Sequence, residues 1–171
     1  NKHFSRKGPR VGGIKNALLD SRETLNSRKG PIRLSLADEH DRAVIYQLRH
    51  EVYARELAQH PPNPTESLRD RLDDFNIYIV ATVGEEIAGF ISITPPGAGG
   101  YSIDKYLARK QLPFVFDEHL YEVRLLSVIK ECRGRELAML LMYAAFRWIE
   151  SHGGTRVTAI GRREILDLYL K

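Results

Sequence analysis

The stretch Glu122-Val-Arg-Leu-Leu-Ser-Val128-Ile-Lys-Glu-Cys132-Arg133-Gly134-Arg135-Glu136-Leu137-Ala138 decides how the rest of the chain is read. Val123, Leu125 and Val128 recur in an apolar, partly β-branched run over residues 120–129, which predicts a strand. From 135 to 152, Ala138, Leu141, Met142, Ala145 and Ile149 share one helical stripe. Gly153-Gly154 then supplies the helix stop. Between strand and helix lies a tight basic turn. The first N–H groups of a helix have no partner within it, so such a turn can hold a phosphate, helped here by Arg133 and Arg135. The same residues also read as an ordinary strand-to-helix connection with solvated arginines.

Working outward, the upstream chain alternates strand and helix patterns. Ile32, Leu34 and Leu36 alternate with polar residues and predict a short strand, and Asp38 is the expected N-cap of the next element. Residues 40–57 carry Val44, Ile45, Leu48, Val52 and Tyr53 at helical spacing, and the Pro61-Pro62-Asn63-Pro64 run ends that helix. Thr65 and Glu66 open a charged segment read as a short helix to Leu72. Two β-rich runs, 75–83 and 86–94, flank Gly84-Glu85 and predict a hairpin. A short helix is expected over 102–112, closed by Pro113, a further strand over 155–160 and a last helix over 162–170. The predicted order, β-α-α-β-β-α-β-α-β-α, is that of a mixed α/β (α+β) domain with a central mixed sheet flanked by helices.

Composition bounds the function. The 171 residues carry 26 Lys+Arg and 22 Asp+Glu, a net charge of +4. Residues 1–30 alone hold +6, leaving −2 on residues 31–171. The first segment therefore reads as a basic flexible arm, a solvated tail or interdomain linker, and the globular domain itself is not basic. Clustered Lys/Arg attracts phosphate, but without interleaved aromatics or a recognition motif a nucleic-acid partner is not expected. No apolar run is long enough for a membrane span. The single cysteine, Cys132, excludes an internal disulfide and a cysteine zinc cage, and favours a reducing, cytoplasmic setting. The six histidines include no metal-binding pair on a helix, so no metal is expected. The chain starts at Asn1 and stops inside an apolar periodic segment, which reads as a piece of a longer protein with additional domains.

At Arg133-Gly134-Arg135-Glu136-Leu137-Ala138 the chain resembles the GNAT superfamily of acyl-CoA N-acyltransferases, whose diphosphate signature is Arg/Gln-x-x-Gly-x-Gly/Ala between strand and helix. Arg133 and Ala138 match, and Glu136 stands where the family usually has Gly. The resemblance covers about residues 31–171 and lacks the last two strands of that fold. It implies acetyl-CoA or another acyl-CoA as donor, with the diphosphate on residues 133–138. It also implies that the cofactor arm pairs with the strand edge at Leu126, Ser127 and Val128.

Glu122, 11 positions before Arg133, matches the strand-borne glutamate that acts as general base, directly or through water, in many of these enzymes. An amine must lose a proton to attack a thioester. The structural reading is a Glu122–Arg124 ion pair on one strand face. Tyr169 follows the family habit of a tyrosine that acts as general acid to the leaving thiolate; the structural reading is a helix aromatic. Arg49 and Tyr53 resemble the Arg-x-x-x-Phe/Tyr pattern of acyl-homoserine-lactone and long-chain N-acyl amino acid synthases, which take acyl groups from acyl carrier protein. Asp70, Asp73 and Asp74 mirror the carboxylates of that branch, and Arg124 its strand arginine, one place early. Arg49, Tyr53 and Arg124 are thus candidate substrate-binding residues, with a helix-surface ion pair as the alternative for Arg49. The expected partners are a small amine or amino acid acceptor and, in this branch, acyl carrier protein. A third reading is a catalytically silent ligand-sensing module.

Overall fold

The computed structural model describes residues 30–133 and 135–161. Five strands form one mixed sheet in sequence order: β1 (Ile32–Leu36), β2 (Ile77–Val83), β3 (Glu86–Thr94), β4 (Leu120–Val128) and β5 (Arg156–Ala159). The first four pair antiparallel, and β5 runs parallel to β4. Helix α1 (Glu39–Arg49) continues as a π-helical turn, His50–Glu56, and α2 (Arg135–Ser151) links β4 to β5. The mixed α+β class expected from the pattern is the class observed.

Alternation along the central strands sorts their side chains onto two faces. On one, Ile79, Ala81, Ile91, Ile93, Tyr121 and Val123 meet Leu141, Ala144, Ala145, Trp148 and Ile149 of α2 in the main core. On the other, Tyr78, Val80 and Phe90 pack against Ile45 and Tyr46 of α1. Further along this second face the residues turn polar: Asn76, Ser92, Thr94, Glu122 and Thr158 are all buried.

The predicted stops and caps are present. Asp38 caps α1 in a reciprocal box with Asp41. Gly153, at φ 83°, closes α2, with Gly154 N–H donating to the Ile149 carbonyl and Gly153 N–H to that of Glu150, the Schellman arrangement. Gly84, at φ 65°, makes the β2–β3 turn. Gly89 is required for packing, because a Cβ there would lie 2.8 Å from the Ser127 carbonyl oxygen.

Two expected helices are corrected. Residues 102–112 form only two 3₁₀ turns, Ser102–Lys105 and Arg109–Gln111. Asp104 folds back onto the Tyr101 N–H and pairs with Arg109, while Tyr106 and Leu107 stay exposed, so no apolar face exists to hold a longer helix. Residues 65–72 form no helix either, since Asp70 and Asp73 accept local backbone N–H groups and impose turns instead. The turn at 72–76 also delays β2, which begins at Ile77 and not at Phe75. The last expected helix, 162–170, lies outside the described residues.

Candidate active site

The sheet opens at one point. β4 and β5 pair from Leu120↔Arg156 to Val123↔Ala159, and beyond that register no β5 partner meets β4 among the described residues. β3 continues to pair with β4 on the other side, as far as Gly89↔Val128. Residues 124–128 thus present one edge of backbone N–H and C=O groups toward the fork. A bulge shapes this edge: the register jumps between Phe90↔Ser127 and Ser92↔Arg124, and Leu125 adopts φ 56°. For a branched side chain that conformation is strained, and it persists because the flanking pairs enforce it.

Glu122 stands one register position before the fork, and its side chain is 0% exposed. Both carboxylate oxygens accept from the Ser102 N–H at 2.9 Å, and Oε2 accepts from the Ser102 hydroxyl at 2.9 Å. The Glu122–Arg124 pair anticipated above is not formed. Arg124 shares the face, yet its guanidinium donates to Asp70. The loop after α1 brings Asp70 over the sheet, a placement that strand spacing alone does not reveal.

Arg49 is not on the helix surface. It is 5% exposed, and its Nη1 donates to Asp73 Oδ1 and Oδ2 at 2.8 and 2.7 Å and to the Tyr78 hydroxyl at 3.1 Å. Nη2 reaches Asp70 at 3.5 Å. Tyr78 donates its own hydroxyl hydrogen to Asp73 at 2.6 Å. Arg49, Asp73, Asp70 and Arg124 therefore form one chain of charges beneath α1, while Asp74 pairs outside it with Arg69. Burial alone would raise the Asp70 carboxyl, but the hydrogen bond and charge of Arg124 outweigh it and hold the group below the usual carboxylate range. Burial, with Asp73 beside it, pushes the Tyr78 phenol well up. Tyr53, on the π-helical turn, reaches β4 beyond the bulge, with its hydroxyl 3.2 Å from Ser127 Oγ.

At the far end of β4, a short 3₁₀ turn (Lys130–Cys132) leads into α2. Arg133 is 46% exposed; it donates Nε to the Val128 carbonyl at 3.2 Å and pairs through Nη2 with Glu56. It lines a groove of about 920 Å³ whose floor includes Val44, Leu48 and Ile129 and whose rim carries Glu51, Glu56, Glu85, Glu86 and Glu131. Glu136 is exposed in the first turn of α2, and Leu137 is buried in the core, leaving only its backbone to a ligand. Gly134 and Tyr169 lie outside the described residues. Among the described residues no group of His, Cys, Asp and Glu is placed to hold a metal ion, and no helix is long and apolar enough to cross a membrane.

Pattern reading missed Ser102. Its only sequence signal was its place in an apparent helix, and only the turn before β4 puts it on Glu122. The same loop forms a pocket of about 610 Å³ lined by residues 96–101 with Arg109, Phe116, Asp117 and Glu118.

Known proteins give the arrangement its context. The model of the acetyltransferase (GNAT) family matches residues 42–169. The structure of TofI, in a ternary complex with an inhibitor and MTA, superposes with a TM-score of 0.67 at 16% identity, over 81% of this chain and 77% of that one. The acyl-homoserine-lactone (AHL) synthase LasI gives 0.67 at 12% identity, over 82% and 77%. An aminoglycoside acetyltransferase from an uncultured soil metagenomic sample, in complex with sisomicin, gives 0.56 at 15% identity, over 81% and 85%. No curated protein matches the chain in sequence.

Proposed function

Because the chain belongs to the GNAT acetyltransferase family and is an N-acyltransferase of that type, we propose that it transfers an acetyl group from acetyl-CoA to a small amine at the fork between β4 and β5. The observation that carries this reading is the conjunction at the fork: an open edge at residues 124–128, with a buried carboxylate, Glu122, one register position before it. An extended donor arm with amide groups suits the backbone of Leu126, Ser127 and Val128. At the end of that edge the N-terminus of α2 suits the diphosphate, with Arg133 and the backbone N–H groups of residues 136–138 to hold it; Gly134 and Arg135 are assigned to the same site from the sequence signature.

In this reading Arg133 must exchange Glu56 for the diphosphate, and Glu136 adds a carboxylate nearby that weakens donor binding. Glu122 is the base for the acceptor amine, and Tyr169 the acid for the leaving thiolate, since a phenol and a thiolate both have pKa values well above neutral. Arg49 holds Asp73 and Asp70 in place, Asp70 holds Arg124 beside the fork, and Tyr53 braces Ser127. The acceptor is a small amine or amino acid. The single cysteine fits a reducing cytoplasm.

One observation favours a second donor. The buried Arg49–Asp73–Asp70–Arg124 chain occupies the positions whose residues resemble the AHL-synthase branch, in which an acyl carrier protein delivers a longer acyl group. Calorimetric titration with CoA and acetyl-CoA separates the two: binding of either supports the CoA donor, and binding of neither favours the carrier protein. Turnover is then read as CoA release from acetyl-CoA against sisomicin, a peptide with N-terminal alanine, free amino acids and polyamines. In that assay Glu122→Gln is expected to lower kcat roughly 10²- to 10⁴-fold with CoA affinity unchanged.

A further inference from the structure

We propose that the Ser102 hydroxyl meets the acceptor amine, and that Glu122 takes the amine proton through it. This rests on the reading of Glu122 as the base, and it follows from the way that base is covered. A direct base must touch the nitrogen it deprotonates, yet Glu122 is 0% exposed and Ser102 covers both of its oxygens. Ser102 itself is only partly buried. Its hydroxyl donates to Glu122 Oε2 and keeps two lone pairs with which to accept a hydrogen.

The hydroxyl is not needed to hold the turn. Tyr101 anchors one side, donating its hydroxyl to the Leu120 carbonyl at 2.6 Å and its N–H to Asp104 at 2.8 Å. The Ser102 N–H already ties the turn to both Glu122 oxygens. The Oγ–Oε2 bond is additional to these, and it joins a buried carboxylate to the partly open side of the turn. Tyr101, next to Ser102 in the chain, lines the 610 Å³ pocket, in which Asp117 is paired with Arg156.

In the step itself, the neutral amine nitrogen attacks the thioester carbonyl carbon and forms the N–C bond. Its proton passes to Ser102 Oγ while the Ser102 hydrogen passes to Glu122 Oε2. The tetrahedral intermediate collapses, the C–S bond breaks with its electron pair on sulfur, and the thiolate takes a proton from Tyr169. Glu122 returns its proton through Ser102 to solvent, and Tyr169 regains one from solvent.

The test compares Ser102→Ala, Ser102→Thr and Glu122→Gln in the full chain. The readouts are CoA release from acetyl-CoA with the fastest acceptor of the panel above, or with water where no amine is used, together with CoA affinity and melting temperature. The relay requires Ser102→Ala to lose roughly 10²-fold in kcat with CoA affinity and melting temperature nearly unchanged, and Ser102→Thr, which keeps a hydroxyl, to stay within a few-fold of the parent. Normal turnover in Ser102→Ala beside a disabled Glu122→Gln overturns the relay and leaves the base standing. Normal turnover in Glu122→Gln overturns the base reading and the relay with it. Equal losses in the Ala and Thr variants, an unfolded Ser102→Ala, or no CoA release from the parent protein would each overturn the relay as well.

Discussion

Replacing Asp73 by Ala tests the charge chain beneath α1. Asp73 is fully buried and accepts two bonds from Arg49, one from Tyr78 and one from the Asp70 N–H. Without it, a guanidinium that is 5% exposed keeps only Asp70 at 3.5 Å as counter-ion, and the Tyr78 hydroxyl loses its acceptor. Removing one partner of a buried ion pair costs about 3–5 kcal/mol, because the other charge stays desolvated and uncompensated. For a chain of this size each kcal/mol lowers Tm by about 2–4 °C, so a fall of roughly 6–20 °C is expected. Asp73→Asn, which keeps the shape and loses the charge, should fall between parent and Ala. In Arg49→Met/Asp73→Ala the orphaned charge is gone, and at least half of the loss should return. Urea unfolding and thermal melts on the parent, the single variants Arg49→Met and Asp73→Ala, and the double variant give the cycle. A loss below about 1 kcal/mol in Asp73→Ala, or a double variant as unstable as the sum of the singles, would refute the reasoning.

Arg133→Ala should weaken CoA binding by about 1.5–3 kcal/mol, the worth of a charge-assisted hydrogen bond to a phosphate; calorimetry with CoA and with pantetheine, which lacks the diphosphate, should show the loss for CoA alone. Because Asp70 titrates below its ordinary value of 3.8 in the folded protein, the unfolded chain binds the extra proton first as pH falls. Its contribution to stability is therefore intact above that value and is lost as pH drops through the folded pKa. Melting temperatures measured from pH 5 to 2.5 should accordingly fall less steeply in Asp70→Asn than in the parent. A parallel slope would mean that Arg124 does not depress Asp70.

Several features were legible in sequence because their causes are local. Alternation in Ile32–Leu36, the Gly84-Glu85 turn, the Asp38 cap, the apolar stripe of α2 and its Gly153-Gly154 stop each depend on residues a few positions apart, and each stands where its pattern placed it. The run from Glu122 to Ala138 likewise carried strand, turn and helix in order, and with them the family. Long-range pairing decided the rest. Whether Glu122 meets Arg124 depends on what other elements bring to that face, and the turns at 65–76 and 101–105 deliver Asp70 to the arginine and Ser102 to the glutamate. The run 102–112, closed by Pro113, read as a short helix, but a helix without a surface to cover is marginal, and Asp104 drew the chain into a turn. The helix-surface ion pair that was the alternative reading of Arg49 is absent, and Arg49 is buried because the loop carrying Asp73 folds over it, a contact 24 residues apart along the chain. Charge pairing across such distances leaves no period in the sequence, so only the tertiary structure could decide which carboxylate each arginine holds.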